Sequence, residues 1–319
     1  MIWVSWRQQR TEALIAAGIL AVLAVVLIPT GIEMAHAYDH DGLSACHGQT
    51  TSESCGQAVG TFTARFESLS NLLGWLTLVP GLVGVLLAAP FVLELESGTY
   101  RLAWTQSITR RRWIASKLGL AVVVAVLVAL ALTLLMTWWR TPFVHLQGRM
   151  ENGAFDSEGS VVFGYVLFAL GLAVAAGVVW RRAVPALVVA FGVYFAVRLF
   201  VDTWLRQRLI APLSATWRLD SPGPNLNRAW VLDQYPSDAL GHRAPIVARP
   251  VGACARAFAS HDKTAISDCL ARHGQAFTTA VYEPASRFWA FQGIETALFG
   301  GVGLLLIAVA AWWTHERTG

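Results

Sequence analysis

Three groups of side chains in the 319 residues carry types and spacings that could do chemistry. The first is His36, Asp39, His40, Asp41, Cys46 and His47, gathered within a dozen positions, a donor set of the kind that holds a divalent metal. Its "DHDG" is only a fragment of a calcium loop whose remaining ligands are missing, so a solvated loop accounts for these residues better than a metal site. The second is His242, His261 and His273, scattered through a long polar segment without a nucleophile or base pattern around them, which suits structural roles. The third is a set of charges at the ends of apolar runs: Glu94 with Glu96, and Arg198 with Asp202. No G-x-x-x-x-G-K-[ST], H-E-x-x-H or G-x-S-x-G motif occurs, which excludes ATP binding through a P-loop.

The elements that must position these charges are membrane helices. Hydrophobic residues make up 55% of the chain and charged residues 14%, against about 25% charged in a soluble domain. The mean hydropathy is +0.51. Six segments suffice to cross a bilayer, which takes about 20 helical residues: Ala13 to Ile32, Leu72 to Leu93, Leu118 to Trp138, Val161 to Trp180, Ala183 to Val201 and Thr296 to Trp313. The first is too long for a signal-peptide core and lacks a small-residue cleavage site, so it reads as a retained helix. "MIWVSWRQQR" before it spaces Trp3 from Trp6 and Arg7 from Arg10 by three, the pattern of a short interfacial helix. Pro80 and Pro90 predict kinks in the second span.

Orientation follows from Lys and Arg near the span ends. With the N-terminus inside, inner segments carry ten (Arg7, Arg10, Arg101, Arg110, Arg111, Arg112, Lys117, Arg181, Arg182 and Arg317) and short outer loops three, Arg65, Arg140 and Arg149. Both termini are therefore expected in the cytoplasm. The positive charge, with a pI of about 9.1, is explained by these flanking arginines and not by nucleic-acid binding. All four cysteines then fall outside, where disulfides form. Of three possible connectivities, the short separations favour Cys46 with Cys55 and Cys254 with Cys269. The expected fold class is all-α integral membrane: one transmembrane domain over 1–319, an N-terminal interfacial helix, six spans, and an outer cap inserted at about 202–295, built of short helices.

Charges close to the bilayer are costly and tend to pair or to face a cavity. Arg198 and Asp202, four apart on the fifth helix, can pair at i, i+4, or Arg198 can line the path or mouth of a pore; the spacing leaves both open. Trp75, Trp138, Trp139 and Phe191 fit an aromatic-lined cavity, and the tryptophans equally fit anchors at the membrane interface.

Glu94 and Glu96 lie too near the inner end of the second helix to be expected buried. Gly98 permits a sharp reversal there, and Thr99 is placed to cap a following helix. In that helix Tyr100, Trp104 and Ile108 recur at i, i+4 and i+8, and Arg110 to Arg112 with Lys117 close it. Acidic residues beside such a stripe fit an anionic lipid surface poorly and a protein partner well.

"LELESGTYRLAWTQSITRRRWIASKLG" resembles the loop between the second and third helices of type-2 ABC exporter permeases, where an E-x-E-x-G-T motif leads into a cytoplasmic coupling helix. "YEPASRFWAFQGIETALF", Tyr282 to Phe299, is similar to the lead-in to the last helix in ABC permeases of actinobacterial type. The outer region before that helix is longer than in many members. The resemblance implies soluble ABC ATPase subunits as partners, carrying the ATP and Mg that this chain does not bind, and a second permease copy, identical or homologous. It assigns Glu94, Glu96, Gly98, Thr99, Tyr100, Arg101, Trp104 and Thr105 to ATPase coupling. It also implies export of a hydrophobic or amphipathic compound, antibiotic or lipid-like, with no covalent chemistry on this chain. Charge reversal at Glu94 and Glu96 is then expected to leave a folded but uncoupled protein. Two other readings remain, a membrane enzyme or assembly factor acting through the outer cap, and a sensor that binds the ATPase and moves nothing.

Overall fold

The computed structural model describes residues 2–46, 53–105, 109–150, 152–226, 228–244, 254–260, 263–272 and 276–317. Ile108, His47, His261 and His273 lie outside them. Among the described residues, six helical stretches are long and apolar enough to cross a membrane: Arg10–His40, Trp75–Ser97, Arg110–Gln147, Val161–Trp180, Ala183–Leu209 and Ala285–Glu316. They coincide with the six expected spans, so the chain is an integral membrane protein of mainly helical fold. Helix α1 is Ile2–His40. After a 3-10 turn, Leu43–Cys46, come α2, Glu53–Gly74, α3, Val79–Ser97, α4, Tyr100–Thr105, and α5, Arg110–Gln147. Then follow α6, Asn152–Ser157, α7, Val161–Trp180, and α8, Ala183–Phe200. A π-helical turn, Val201–Leu205, leads to α9, Arg206–Leu209.

Several details differ from expectation. The N-terminal segment is not a separate interfacial element, because α1 runs unbroken from Ile2. Pro80 does not kink the second span; it stands in the first turn of α3, where the missing N–H costs nothing, while Pro90 lies inside the helix. The first polar segment is a helical hairpin and not an open loop. Its α2 carries Phe62 and Phe66 on one face, and these pack with Leu27, Met34 and Tyr38 of α1 and Trp139 and Phe143 of α5. Cys46 and Cys55 are bonded across its turn, with Cα atoms 5.6 Å apart.

The chain divides into two compact units, one of residues 1–146, 152–205 and 289–319, the other of 147–151 and 206–288. In the first, α7 is central, with thirteen of its 20 residues buried. Glycines let its neighbours approach to backbone contact. A Cβ on Gly84 of α3 would lie 2.4 Å from the Val166 carbonyl oxygen. A Cβ on Gly171 would lie 2.4 Å from that of Gly303, on the last helix, α12, Phe288–Arg317. In lipid, where helices gain nothing from expelling water, this van der Waals contact drives association.

The second unit contains a feature beyond the expected short helices, an antiparallel sheet with β3, Phe277–Glu283, between β1, Leu213–Arg218, and β2, Trp230–Ser237. The β-branched and aromatic residues of "FTTAVYE" and "LSATWR" suit a pleated, half-buried surface. One face is laced by hydroxyls: Thr216 meets Thr279 at 2.8 Å, and Thr279 meets Ser237 at 2.7 Å. The Cys254–Cys269 disulfide ties the residue just before α10, Ala255–Ser260, to α11, Lys263–Arg272. His242 sits in an exposed turn, its Nδ1 3.1 Å from Asp238. The backbone N–H groups of His242 and Leu240, donating to Asp238, hold that carboxyl below the ordinary carboxylate range.

Gly171→Val should therefore lower thermal stability by about 1 to 3 kcal/mol, since a backbone oxygen cannot give way. Gly119→Ala, with nothing near its Cβ position, should be neutral or stabilising. Light-scattering-monitored melting of the detergent-solubilised protein checks both.

Candidate coupling site and buried polar network

Helix α3 ends where Gly98 adopts φ 70°, the left-handed conformation that costs a glycine little. Chain reversal follows, and the Gly98 carbonyl accepts from the Arg101 N–H at 3.1 Å, closing the first turn of α4. The Thr99 hydroxyl meets Ser97 Oγ at 3.0 Å. The aromatic stripe of α4 faces inward. Tyr100 is buried, its ring 4.8 Å from Trp104 and 6.2 Å from Trp113 of α5, which also contacts Phe91 of α3. The Arg110 guanidinium covers Trp104 at 4.6 Å. The stripe thus docks α4 on its own chain, leaving Thr99 and Arg101 exposed.

The two glutamates are also turned to the chain's own helices. Glu94 was expected in the open; instead its side chain is only 13% exposed and its Oε1 lies 2.5 Å from Nζ of Lys117, itself buried. Twenty-three residues separate them, so no helical spacing announces the pair. Glu96 accepts from the N–H of Ala183 at 2.9 Å, the first residue of α8. It serves as a carboxylate cap contributed by another helix, favoured by the positive end of the α8 dipole. The turn it binds is tight: Arg181 ends α7 with φ 51° and Arg182 is extended. Nearby in the fold, Arg110 and Arg111 donate to the His315 carbonyl oxygen and ring, at 3.4 and 3.3 Å, tying α5 to the end of α12. Glu94 and Glu96 together fasten α3, and with it α4, to α5 and α8.

A second set of charges lies toward the opposite end of these helices. Arg198 of α8 is buried, with a guanidinium nitrogen 2.9 Å from Oδ2 of Asp156 on α6. Its guanidinium also stacks over the Tyr165 ring at 3.9 Å. Asp202 falls in the π-helical turn that follows α8. The Tyr165 hydroxyl lies 3.2 Å from Asp156 and 2.9 Å from Glu295 of α12. Arg140 of α5 pairs with Glu158 at 3.2 Å. Gln292 donates to the Phe155 carbonyl oxygen at 2.9 Å and accepts from the Val161 N–H at 2.8 Å. "DSEGS", 156–160, thus sits between α5, α7, α8 and α12 with its carboxylates answered. Spacing missed these partners because they come from four different elements; the available signal was that Asp156, Glu158 and Glu295 adjoin apolar runs, where an unanswered carboxylate is costly.

Among the described residues no group of three or more His, Cys, Asp or Glu is arranged to hold a metal. Cys46 is spent in its disulfide. His36 and Asp39 are exposed on the last turns of α1.

The paired geometry changes what substitution does here. Reversing Glu94 would set a second cation against a buried ammonium and unfold this end of the helices. Glu94→Gln alone should destabilise by about 3 to 5 kcal/mol, as removal of one member of a buried pair does, and adding Lys117→Met should recover most of it. Glu96→Ala, at an exposed cap, should cost about 0.5 to 1 kcal/mol. Thermal melts of the three variants check the order.

No curated protein and no solved structure matches the chain. A family model described as "ABC-2 membrane transporter related" matches residues 17–206, which spans the first five membrane helices, the α3–α4 reversal and the Asp156–Arg198 pair. The chain belongs to the ABC-2 membrane transporter related family.

Proposed function

We propose that this chain is the membrane subunit of an ABC exporter in a bacterial plasma membrane, with both termini in the cytoplasm. It lacks a nucleotide site and works beside soluble ATPase subunits that bind ATP and Mg. Two copies enclose a path for a hydrophobic or amphipathic compound. The observation that carries the reading is the clasp at the end of α3: Glu94 on Lys117 of α5, and Glu96 on the first amide of α8.

A coupling element has to receive a push and pass it on without yielding. Helix α4 is six residues long, too short to be stable alone, and is held by Tyr100 and Trp104 against Trp113. Thr99 and Arg101 offer the ATPase an exposed hydroxyl and a cation. Gly98, Glu94 and Glu96 hold α4 to the spans, so a displacement of α4 by closing ATPases moves the inner ends of α3, α5 and α8 together. At the other end, breaking Asp156–Arg198 and Arg140–Glu158 would release the 156–160 segment from the helices around it, which opens the path outward. Of the residues the resemblance assigns to coupling, Thr99 and Arg101 suit contact with the ATPase, while Glu94, Glu96, Gly98, Tyr100 and Trp104 suit transmission.

Affinity purification of the tagged protein in mild detergent should recover a stoichiometric soluble ATPase, identified by mass spectrometry, with hydrolysis in the eluate. Arg101→Glu should lose that ATPase while melting like the wild type. An eluate without an ATPase, or an Arg101→Glu variant that keeps both partner and hydrolysis, would sink the reading.

A further inference from the structure

Beyond the two sites above, the first unit has a cleft of about 310 Å³ between the C-terminal parts of α1 and α5. That volume is in the range of small-molecule pockets. Helices of 39 and 38 residues measure about 58 and 57 Å. Both outrun a hydrocarbon layer of about 30 Å, and the cleft residues follow the apolar run of α1, so it opens at the interface level.

The walls are unusual in composition. Tyr38 and Asp39 come from α1, and Trp138, Thr141 and His145 from α5, with Gly31 beneath them. Adjacent tryptophans divide two tasks. Trp139 is fully buried and donates to the Thr30 hydroxyl at 3.0 Å, fixing α5 to α1. Trp138 is 47% exposed and lies over Gly31, where a Cβ would come within 2.8 Å of its ring. The glycine is thus what allows the indole to lie flat against α1. Tyr38 and His145 rings stand 6.1 Å apart behind it. Asp39 is the cleft's carboxylate, and among the described residues neither Lys nor Arg lines it.

A π face with a carboxylate beside it, and no Lys or Arg among the described residues that line it, is the chemistry that recognises a positive charge spread over an apolar body. We propose that this cleft binds a bulky organic monocation, its charge over Trp138 and near Asp39. An anion of the same size meets the same apolar walls and the wrong charge, and a metal ion finds a single carboxylate. The inference concerns binding alone and stands whether or not the chain couples to an ATPase.

The test uses the full chain in lipid nanodiscs without nucleotide, with ethidium as the cation and 8-anilinonaphthalene-1-sulfonate as the anion of comparable size. Equilibrium dialysis against empty nanodiscs isolates the protein-dependent, saturable part. Wild type should bind one ethidium per chain and no anion. Asp39→Asn and Trp138→Ala, both at exposed positions, should each weaken ethidium about tenfold or more at unchanged melting temperature. Gly31→Leu, which displaces the indole, should do the same, and if it fails to fold the two exposed variants decide. No saturable ethidium, equal uptake of the anion, or affinity unchanged in both exposed variants would overturn the assignment.

Discussion

A charge that enters the hydrocarbon layer must bring its partner with it, because lipid offers neither water nor counter-ion. That constraint organises both ends of the helical unit. Lys117 is buried and would be intolerable alone; Glu94 answers it across the α3–α5 contact. Arg198 and Arg140 are answered by Asp156 and Glu158 from a single short segment that reaches in among four helices. Each pair joins elements remote in sequence, so satisfying the charge and choosing the helix neighbours are one event. Such pairs add little net stability over an apolar contact, but losing one partner is expensive, which makes them good determinants of which helix sits where.

Between the two charged layers the packing obeys a different rule. Helix α7 is nearly all apolar and meets α3 and α12 through Gly84, Gly171 and Gly303, where only the absence of a side chain lets backbones touch. Apolar faces of α1, α8 and α12 remain open, with Val22, Val184 and Leu305 among the exposed side chains, as suits surfaces made for lipid or for another subunit. The unit therefore combines a rigid middle with ends held by polar bonds. Motion is cheaper at such ends, since an ion pair can exchange partners whereas interlocked backbones cannot slide without opening a void.

Under the proposed function, this arrangement gives physical content to coupling. The α4 helix is small and clamped by aromatic rings, with Thr99 just before it and Arg101 within it exposed. Force applied there has no slack to take up before it reaches α3, and from α3 it has two hydrogen-bonded routes outward. The short helix, the left-handed Gly98 and the two carboxylates are therefore parts of one joint.

Much of the helical architecture was legible in the residues alone. Six apolar runs of sufficient length, the reversal at Gly98 and the two short-range disulfides depend on local composition and spacing, and the folded chain carries all of them. The three-stranded sheet was overlooked because its strands are short and β3 pairs with segments up to sixty-nine residues away in the register, Leu213 with Tyr282. The site was half legible. Its residue types and position stood out, but Glu94 was expected to face a partner protein and turned out to face Lys117, and Arg198 gained Asp156 from the short helix α6. Sequence by itself determined the membrane-spanning helices, their number and the places where charge had to be handled, because hydrophobicity and backbone preference act within a few residues. Only the tertiary structure decided which charge answers which, because that depends on helices distant in the chain meeting at ångström distances.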